Sequence, residues 1–283
     1  MPNRPVESVK QLREICQPEN KIKTDALYLR VVSRKLSIYV TAFFLRLGIT
    51  ANETSMLGLI IGLCGAIFLG LSSTGLNLLG AILLQIAHLL DCVDGELARY
   101  RRFKSPSRKR KLGGFYLDEM SHLILYPLMM FLFGLGTICY FPAWGRALSL
   151  LAFLGAFGIL GVPDLGMASV FRYTMRRSPE VMGSQDFHTL MLGQKSSKEK
   201  GLEQEYPSRK TRLRIYIAEF LFYPGPMHNI TLAIFSEFIL RHLGFPYAAA
   251  FVRLGTFCFL SLVFILNFVR RFRRNFIHLN TPF

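Results

Sequence analysis

Four side chains in this sequence could do chemistry together: Asp91, Asp94, Asp118 and His122. Asp91 and Asp94 end the apolar run LLQIAHLLDCVDGELARY, and Asp118 and His122 open the run GGFYLDEMSHLILY. On a helix Asp91 and Asp94 are i,i+3 neighbours, with Ala98 one turn further along the same face, and Asp118 and His122 are i,i+4. Two adjacent antiparallel helices would therefore gather three carboxylates and an imidazole at one membrane boundary. Several carboxylates so placed repel one another, and a divalent cation is the simplest compensation. Hard carboxylate oxygens favour Mg2+ or Mn2+ over softer metals. Helix-end charges reaching for water would explain any one of these residues, but they explain the joint spacing less well. Gly95 and Ala98 leave the same helix bare of side chain, as close approach of a ligand requires.

The elements that must hold these residues are apolar. The chain has 283 residues, 51% of them hydrophobic and 18% charged, with 34 Lys+Arg against 18 Asp+Glu. Such a composition excludes disorder, collagen-like repeats and a small disulfide scaffold, and requires apolar and charged residues to be segregated. Cys16, Cys64, Cys92, Cys139 and Cys258 are scattered without a CxxC pair and read as reduced thiols. A bilayer core about 30 Å thick needs roughly 20 apolar helical residues. Six stretches qualify, near 52–73, 76–99, 113–137, 146–172, 213–240 and 246–269, predicting an all-α membrane domain over 51–272. The first 25 residues form a polar arm with no apolar core of a cleaved signal. Residues 26–50 mix Leu, Val, Phe and Tyr with Arg30, Arg34, Lys35 and Arg46, which suits an amphipathic helix in the membrane interface or a helical arm packed on the bundle. Lys and Arg concentrate in the arm, in 99–111, in the connection 175–211 and in the tail 273–283, so both termini and the carboxylates are expected on the cytoplasmic side.

The segment DCVDGELAR followed by GFYLDEMSH resembles the signature of the CDP-alcohol phosphotransferases, also called CDP-alcohol phosphatidyltransferases. That signature has two Asp, then Gly, Ala and Arg, and after a spacer Gly, Asp and a last Asp. Asp91, Asp94, Gly95, Ala98, Arg99, Gly114 and Asp118 match it in order. ITANETSMLG is similar to the family's Thr-Pro-Asn-x-x-Thr segment through Thr50 and Asn52, with Ala51 in place of Pro. The layout of an interfacial helix and six spans also resembles the family. Two features depart from it: the spacer is longer and carries RRFKSPSRKRK, and the last Asp is His122.

The resemblance implies an integral-membrane enzyme of phospholipid biosynthesis that moves a substituted phosphate from a CDP-alcohol to an acceptor alcohol, lipid or polar, and releases CMP. It implies Mg2+ or Mn2+ on Asp91, Asp94, Asp118 and His122, catalytic roles for Asp118 and His122, and a homodimer. The CDP moiety would lie against Asn52, Asp91, Gly95, Ala98, Arg99 and Gly114, with Arg99 clasping a phosphate. A neutral His122 could serve as general base, while as a ligand it is a poorer partner for Mg2+ than carboxylate. Glu119 is a substitute ligand or an exposed helix-start carboxylate. Arg172, Arg212 and Arg214 could form an anion pocket for the acceptor, though each alone reads as ordinary basic flanking. His88 lies one turn before Asp91, either supporting it or packing. Asp164, Glu219, His228, Glu237 and Arg253 need partners at their depth, and Arg253 with Glu237 forms an expected pair. Pro163, Pro224 and Pro226 are expected to kink their helices. The basic run 101–111 lacks an aromatic platform, favouring anionic membrane lipid over nucleic acid. Two other classes remain: a catalytically degenerate family member that binds lipid or nucleotide, and a transporter, which would place its carboxylates nearer the bilayer midplane.

Overall fold

The computed structural model describes residues 7–18, 25, 27–105, 113–160 and 225–280; about 90% of them are helical and none lies in a strand. Helix α1 (Val9–Cys16) starts on Ser8, whose hydroxyl accepts the Gln11 N–H while the Gln11 side chain accepts the Ser8 N–H. A π-helical turn, Leu29–Ser33, leads into α2 (Arg34–Leu47), which ends at Gly48 with φ 74°, a conformation that favours glycine. There follow α3 (Ala51–Leu69), α4 (Thr74–Lys104), α5 (Gly113–Ile138), a 3-10 turn (Pro142–Trp144), α6 (Gly145–Leu160), α7 (Gly225–His242) and α8 (Pro246–Asn280). Thr50 caps α3 by a reciprocal pair with Glu53, and Ser73 caps α4.

Among the described residues, five segments are long and apolar enough to cross a membrane: Ala51–Leu69, Thr74–Lys104, Met120–Ile138, Pro142–Ile159 and Pro246–Arg270. They mark a membrane protein. The fifth expected span, 213–240, is described only from Gly225, and α7 carries Glu237, Arg241 and His242 within 18 residues. The first span ends at Leu69, short of 73, because Gly70 closes the helix and Ser73 begins the next. The second runs on to Lys104, since Arg101, Arg102 and Lys104 suit the negative end of a helix dipole. The tail from 273 to 280 continues α8. Pro226 lies in the first turn of α7, where a missing N–H costs nothing, so it starts a helix and does not kink one. Pro163 and Pro224 lie outside the described residues. Pro127, inside α5, was not anticipated.

Helix α3 packs closely on both motif helices, α4 and α5, and α4 and α5 meet side chain to side chain where Asp91 reaches His122. Glycine makes this possible: a Cβ on Gly65 would stand 2.9 Å from the Gly80 carbonyl oxygen, and one on Gly80 would stand 2.7 Å from that of Gly65, so the backbones touch. A Cβ on Gly62 would meet Leu125 of α5 at 2.6 Å. At the far ends of these helices, fully buried Arg253 bonds Glu237 Oε2 at 3.2 Å, the Leu69 carbonyl at 2.6 Å and Thr137 Oγ1 at 3.3 Å. Arg241 Nε meets the other Glu237 oxygen at 3.1 Å. The expected Arg253–Glu237 pair thus ties α3, α5, α7 and α8 together.

Helix α2 turns Arg34, Ser37 and Thr41 inward and leaves Leu36, Tyr39, Phe43 and Leu47 between 53% and 59% exposed. It packs on α4 through Phe44, Leu90, Val93 and Leu97. Its polar stripe faces protein and its apolar stripe faces out, the reverse of a water-soluble helix.

Candidate metal centre

Asp91 stands just past the middle of α4, and Asp118 and His122 in the first three turns of α5. One ligand atom from each of the three lies within 4.8 Å of the other two. His122 Nε2 is 3.1 Å from Asp91 Oδ1 and 3.2 Å from Asp118 Oδ1. The side chains are 17%, 26% and 39% exposed for His122, Asp91 and Asp118, partly sheltered yet open to a ligand. A cation bound at about 2.1 Å in octahedral geometry separates neighbouring ligands by about 3.0 Å and opposite ligands by about 4.2 Å. The two separations from His122 match those of neighbouring ligands, the Asp91 and Asp118 oxygens lie within 4.8 Å of each other, and the donor set of two carboxylates and an imidazole is one a divalent ion accepts. Nε2 carries at most one hydrogen, so it cannot satisfy both carboxylates fully by hydrogen bonding.

The three residues line a cavity of about 30 Å3, enough for an ion and one or two waters, together with Ser55, Gly58, Ala87, His88, Asp94 and Tyr126 among others. Asp94 is 8% exposed and accepts a 2.5 Å hydrogen bond from Ser55 Oγ on α3. It borders the cavity beside the converging trio. His88 is buried with its Nε2 3.4 Å from Ser33 Oγ, and its ring meets that of His228 edge-on at 4.9 Å. His228 Nδ1 lies 3.1 Å from Gln85 Oε1, which also accepts from Tyr28. Tyr126 sets its ring 5.7 Å from that of His122.

The other expected site residues spread around this centre. Asn52 is exposed at the start of α3, one turn before Ser55. Ala98 is exposed, and Gly114 lies in the first turn of α5. Arg99 turns toward the N-terminal arm: Nε donates to the Cys16 carbonyl at 2.5 Å, and Nη2 is buried without a hydrogen-bond partner among the described residues. Arg99 lies back along α4 over Gly95, where an added Cβ would stand 3.3 Å from Nη1. Asn52, Gly95, Ala98 and Arg99 do not line the cavity. Arg172, Arg212, Arg214 and the side chain of Glu119 lie outside the described residues.

Sequence reasoning missed two residues. Ser55 is one, and nothing in its sequence context singles it out. The other is Glu96, fully buried two positions after Asp94. Its Oε1 accepts from Gln17 Nε2 at 2.8 Å, Arg34 Nη1 at 3.3 Å and Ser37 Oγ at 2.6 Å, and its Oε2 from Thr41 Oγ1 at 2.7 Å. The polar stripe Arg34, Ser37 and Thr41, at i, i+3 and i+7 of an otherwise apolar helix, was the signal that a buried polar partner existed. Arg34 Nε also meets Asp25 Oδ2 at 2.7 Å. Burial disfavours the Arg34 charge, but the Asp25 bond and the charges of Asp25 and Glu96 outweigh it and hold the guanidinium above its ordinary range. Burial, reinforced by Glu96, pushes the Cys16 thiol up to about 12, leaving it neutral and unreactive. At the foot of the arm Glu7 contacts Tyr100 and Lys104 of α4. Burial raises the Glu7 pKa, and these two partners overcome that effect and hold it below the usual carboxylate value.

No protein-family model and no curated protein matches this chain.

Proposed function

We propose that this protein is an integral-membrane CDP-alcohol phosphotransferase, transferring a substituted phosphate from a CDP-alcohol to the hydroxyl of an acceptor alcohol and releasing CMP. The observation that carries the reading is the convergence of Asp91, Asp118 and His122, three positions of the motif, at one cavity. The reading includes six spans, with α7 and the residues before it as the fifth. It places α2 at the interface with its exposed Leu36, Tyr39, Phe43 and Leu47 in lipid, and sets the centre and both termini on the cytoplasmic side, where the basic residues gather. A reporter fused at Phe283 that works only on the opposite side overturns that orientation.

Asp91, Asp118 and His122 are the residues to hold Mg2+ or Mn2+, with Asp94 beside them. Such an ion, when bound, neutralises the pyrophosphate and polarises the attacked phosphorus. The acceptor oxygen bonds to the phosphorus that carries the donor alcohol. The bond from that phosphorus to the bridging oxygen breaks, and CMP departs with the electron pair. One nitrogen cannot hold a cation and take the hydroxyl proton at the same time. With His122 as ligand the hydroxyl proton passes to the Asp94 carboxylate beside the trio or leaves with the CMP phosphate; an acid limb in the rate profile that vanishes in His122→Ala would assign His122 instead as the base. A panel of CDP-alcohols, including CDP-diacylglycerol with polar alcohols and CDP-linked headgroups with lipid alcohols, tests the activity through CMP release. The second reading, a binding protein without turnover, is favoured by His122 in place of carboxylate and by Arg99 engaging Cys16. It expects CDP and cation binding with no CMP formed.

A further inference from the structure

We propose that Glu96 is a positioning residue of the metal centre, through which the N-terminal arm and α2 fix the rotation of α4 and thereby set Asp91 and Asp94 opposite Asp118 and His122. The inference rests on the metal-centre reading above. Glu96 makes none of its four recorded hydrogen bonds to its own helix: one donor, Gln17, follows α1, and Arg34, Ser37 and Thr41 belong to α2. Gln17 Nε2 also donates to the Arg34 carbonyl at 2.7 Å, so arm and α2 are joined to each other as well as to Glu96. Four donors from two neighbouring segments converge on this carboxylate, three on Oε1 and one on Oε2.

The angular placement gives this arrangement its consequence. At about 100° per residue, Glu96 lies about 200° around α4 from Asp94 and about 140° from Asp91. The helix is therefore held on the side away from its candidate ligands. The remaining α2–α4 contact is apolar, made by Phe44, Leu90, Val93 and Leu97, and lacks directional bonds; α3, packed on α4 through Gly65 and Gly80, limits rotation from its own side, and the Glu96 bonds limit it from the side of α2. A turn of 10° about the α4 axis carries a carboxylate oxygen about 6 Å from that axis through about 1 Å, and metal–ligand distances hold to about 0.2 Å. Directional bonds to a buried carboxylate limit such a turn. Burying that charge is costly even when it is paired, which fits a role in position more than in bulk stability.

The test uses the full-length protein purified in detergent, with Mn2+ alone as probe and free Mn2+ followed by paramagnetic resonance. Thr41→Val removes the only recorded donor to Glu96 Oε2 while keeping shape; Thr41→Ser keeps the hydroxyl and loses the methyl. We expect Thr41→Val to weaken Mn2+ binding about 10-fold or more, within the range seen for groups that orient metal ligands. Thr41→Ser should bind within about twofold of the parent, and Glu96→Gln about 10- to 100-fold more weakly. Should Glu96→Gln fail to fold, the Thr41 pair decides. If Thr41→Val binds Mn2+ as the parent does, or if the valine and serine variants weaken binding equally, the positioning role is overturned while the metal centre stands. If the parent itself shows no saturable Mn2+ binding, both readings fall together.

Discussion

Replacing His122 by Asp would test the charge balance of the centre without recourse to turnover. In the parent, Nε2 stands 3.1 Å and 3.2 Å from Asp91 and Asp118, and an imidazole adds no negative charge in either protonation state. Aspartate reaches less far, so its oxygens would sit about 4–5 Å from both carboxylates. At an effective dielectric of about 20, each new like-charge pair costs about 3–4 kcal/mol, and less for the more exposed Asp118. Without divalent ions His122→Asp should unfold at a lower temperature than the parent. A bound divalent ion relieves the repulsion, so the differential of several kcal/mol should appear as tighter binding, by about 100-fold if 2.7 kcal/mol of it survives screening. The assay is thermal unfolding in detergent with EDTA and across a Mg2+ titration. The stabilisation by Mg2+ should be larger in His122→Asp than in the parent, and His122→Asn, which adds no charge, should lose it. A Mg2+-induced shift in His122→Asp equal to or smaller than the parent's would refute the reasoning.

Three further outcomes follow from particular contacts. Ser55→Ala leaves Asp94 Oδ2 without its 2.5 Å donor, and since a hydrogen bond to a charged group contributes about 1.5–3 kcal/mol to stability, the melting temperature should fall by several degrees and CMP release per folded molecule should fall as well; unchanged kcat and KM would remove Ser55 from the site. Glu237→Gln strips fully buried Arg253 of its counter-charge and should cost about 3 kcal/mol or more in unfolding free energy, while turnover per folded molecule is kept, because Thr137 lies 19 residues and about 28 Å along α5 from Asp118; a loss of turnover at full stability would contradict this. The lowered Glu7 pKa means that docking of the arm is fully supported above the ordinary carboxylate value of 4.5 and weakens as pH falls through the folded value; protease cleavage of the arm should rise on acidification in the parent and be already raised, without that pH step, in Glu7→Gln. Equal cleavage of both at every pH would refute the contact.

The sequence made the helices and the carboxylate cluster legible because both depend on local spacing. Apolar runs of about 20 residues announce spans, and i,i+3 and i,i+4 intervals place Asp91 with Asp94 and Asp118 with His122 whatever the helices pack against. The Arg253–Glu237 pair was legible because two opposite charges at membrane depth require each other. Tertiary arrangement was not. That α3 packs so closely on α4 depends on Gly65 and Gly80 meeting across a backbone contact, and glycine in an apolar run carries no mark of which neighbour it will admit. Ser55 and Glu96 escaped for a similar reason: each acts across helices 39 and up to 79 residues apart in sequence, and periodicity reads only one helix at a time. The polar residues of α2 were visible, yet which partner they meet was left open between interface and bundle, because water, lipid and protein each offer a polar stripe a partner.

The central claim, a divalent-dependent phosphotransfer centre built on Asp91, Asp118 and His122, meets its most direct test in CMP release by the purified protein supplied with CDP-alcohols and acceptors, with Mg2+ or Mn2+ present and then removed by EDTA. The account predicts CMP formed only in the presence of a donor, an acceptor and a divalent ion, and abolished in Asp91→Asn and Asp118→Asn proteins that elute from a sizing column as the parent does. CMP formed equally with EDTA, or at parental rates by both Asn variants, would contradict it.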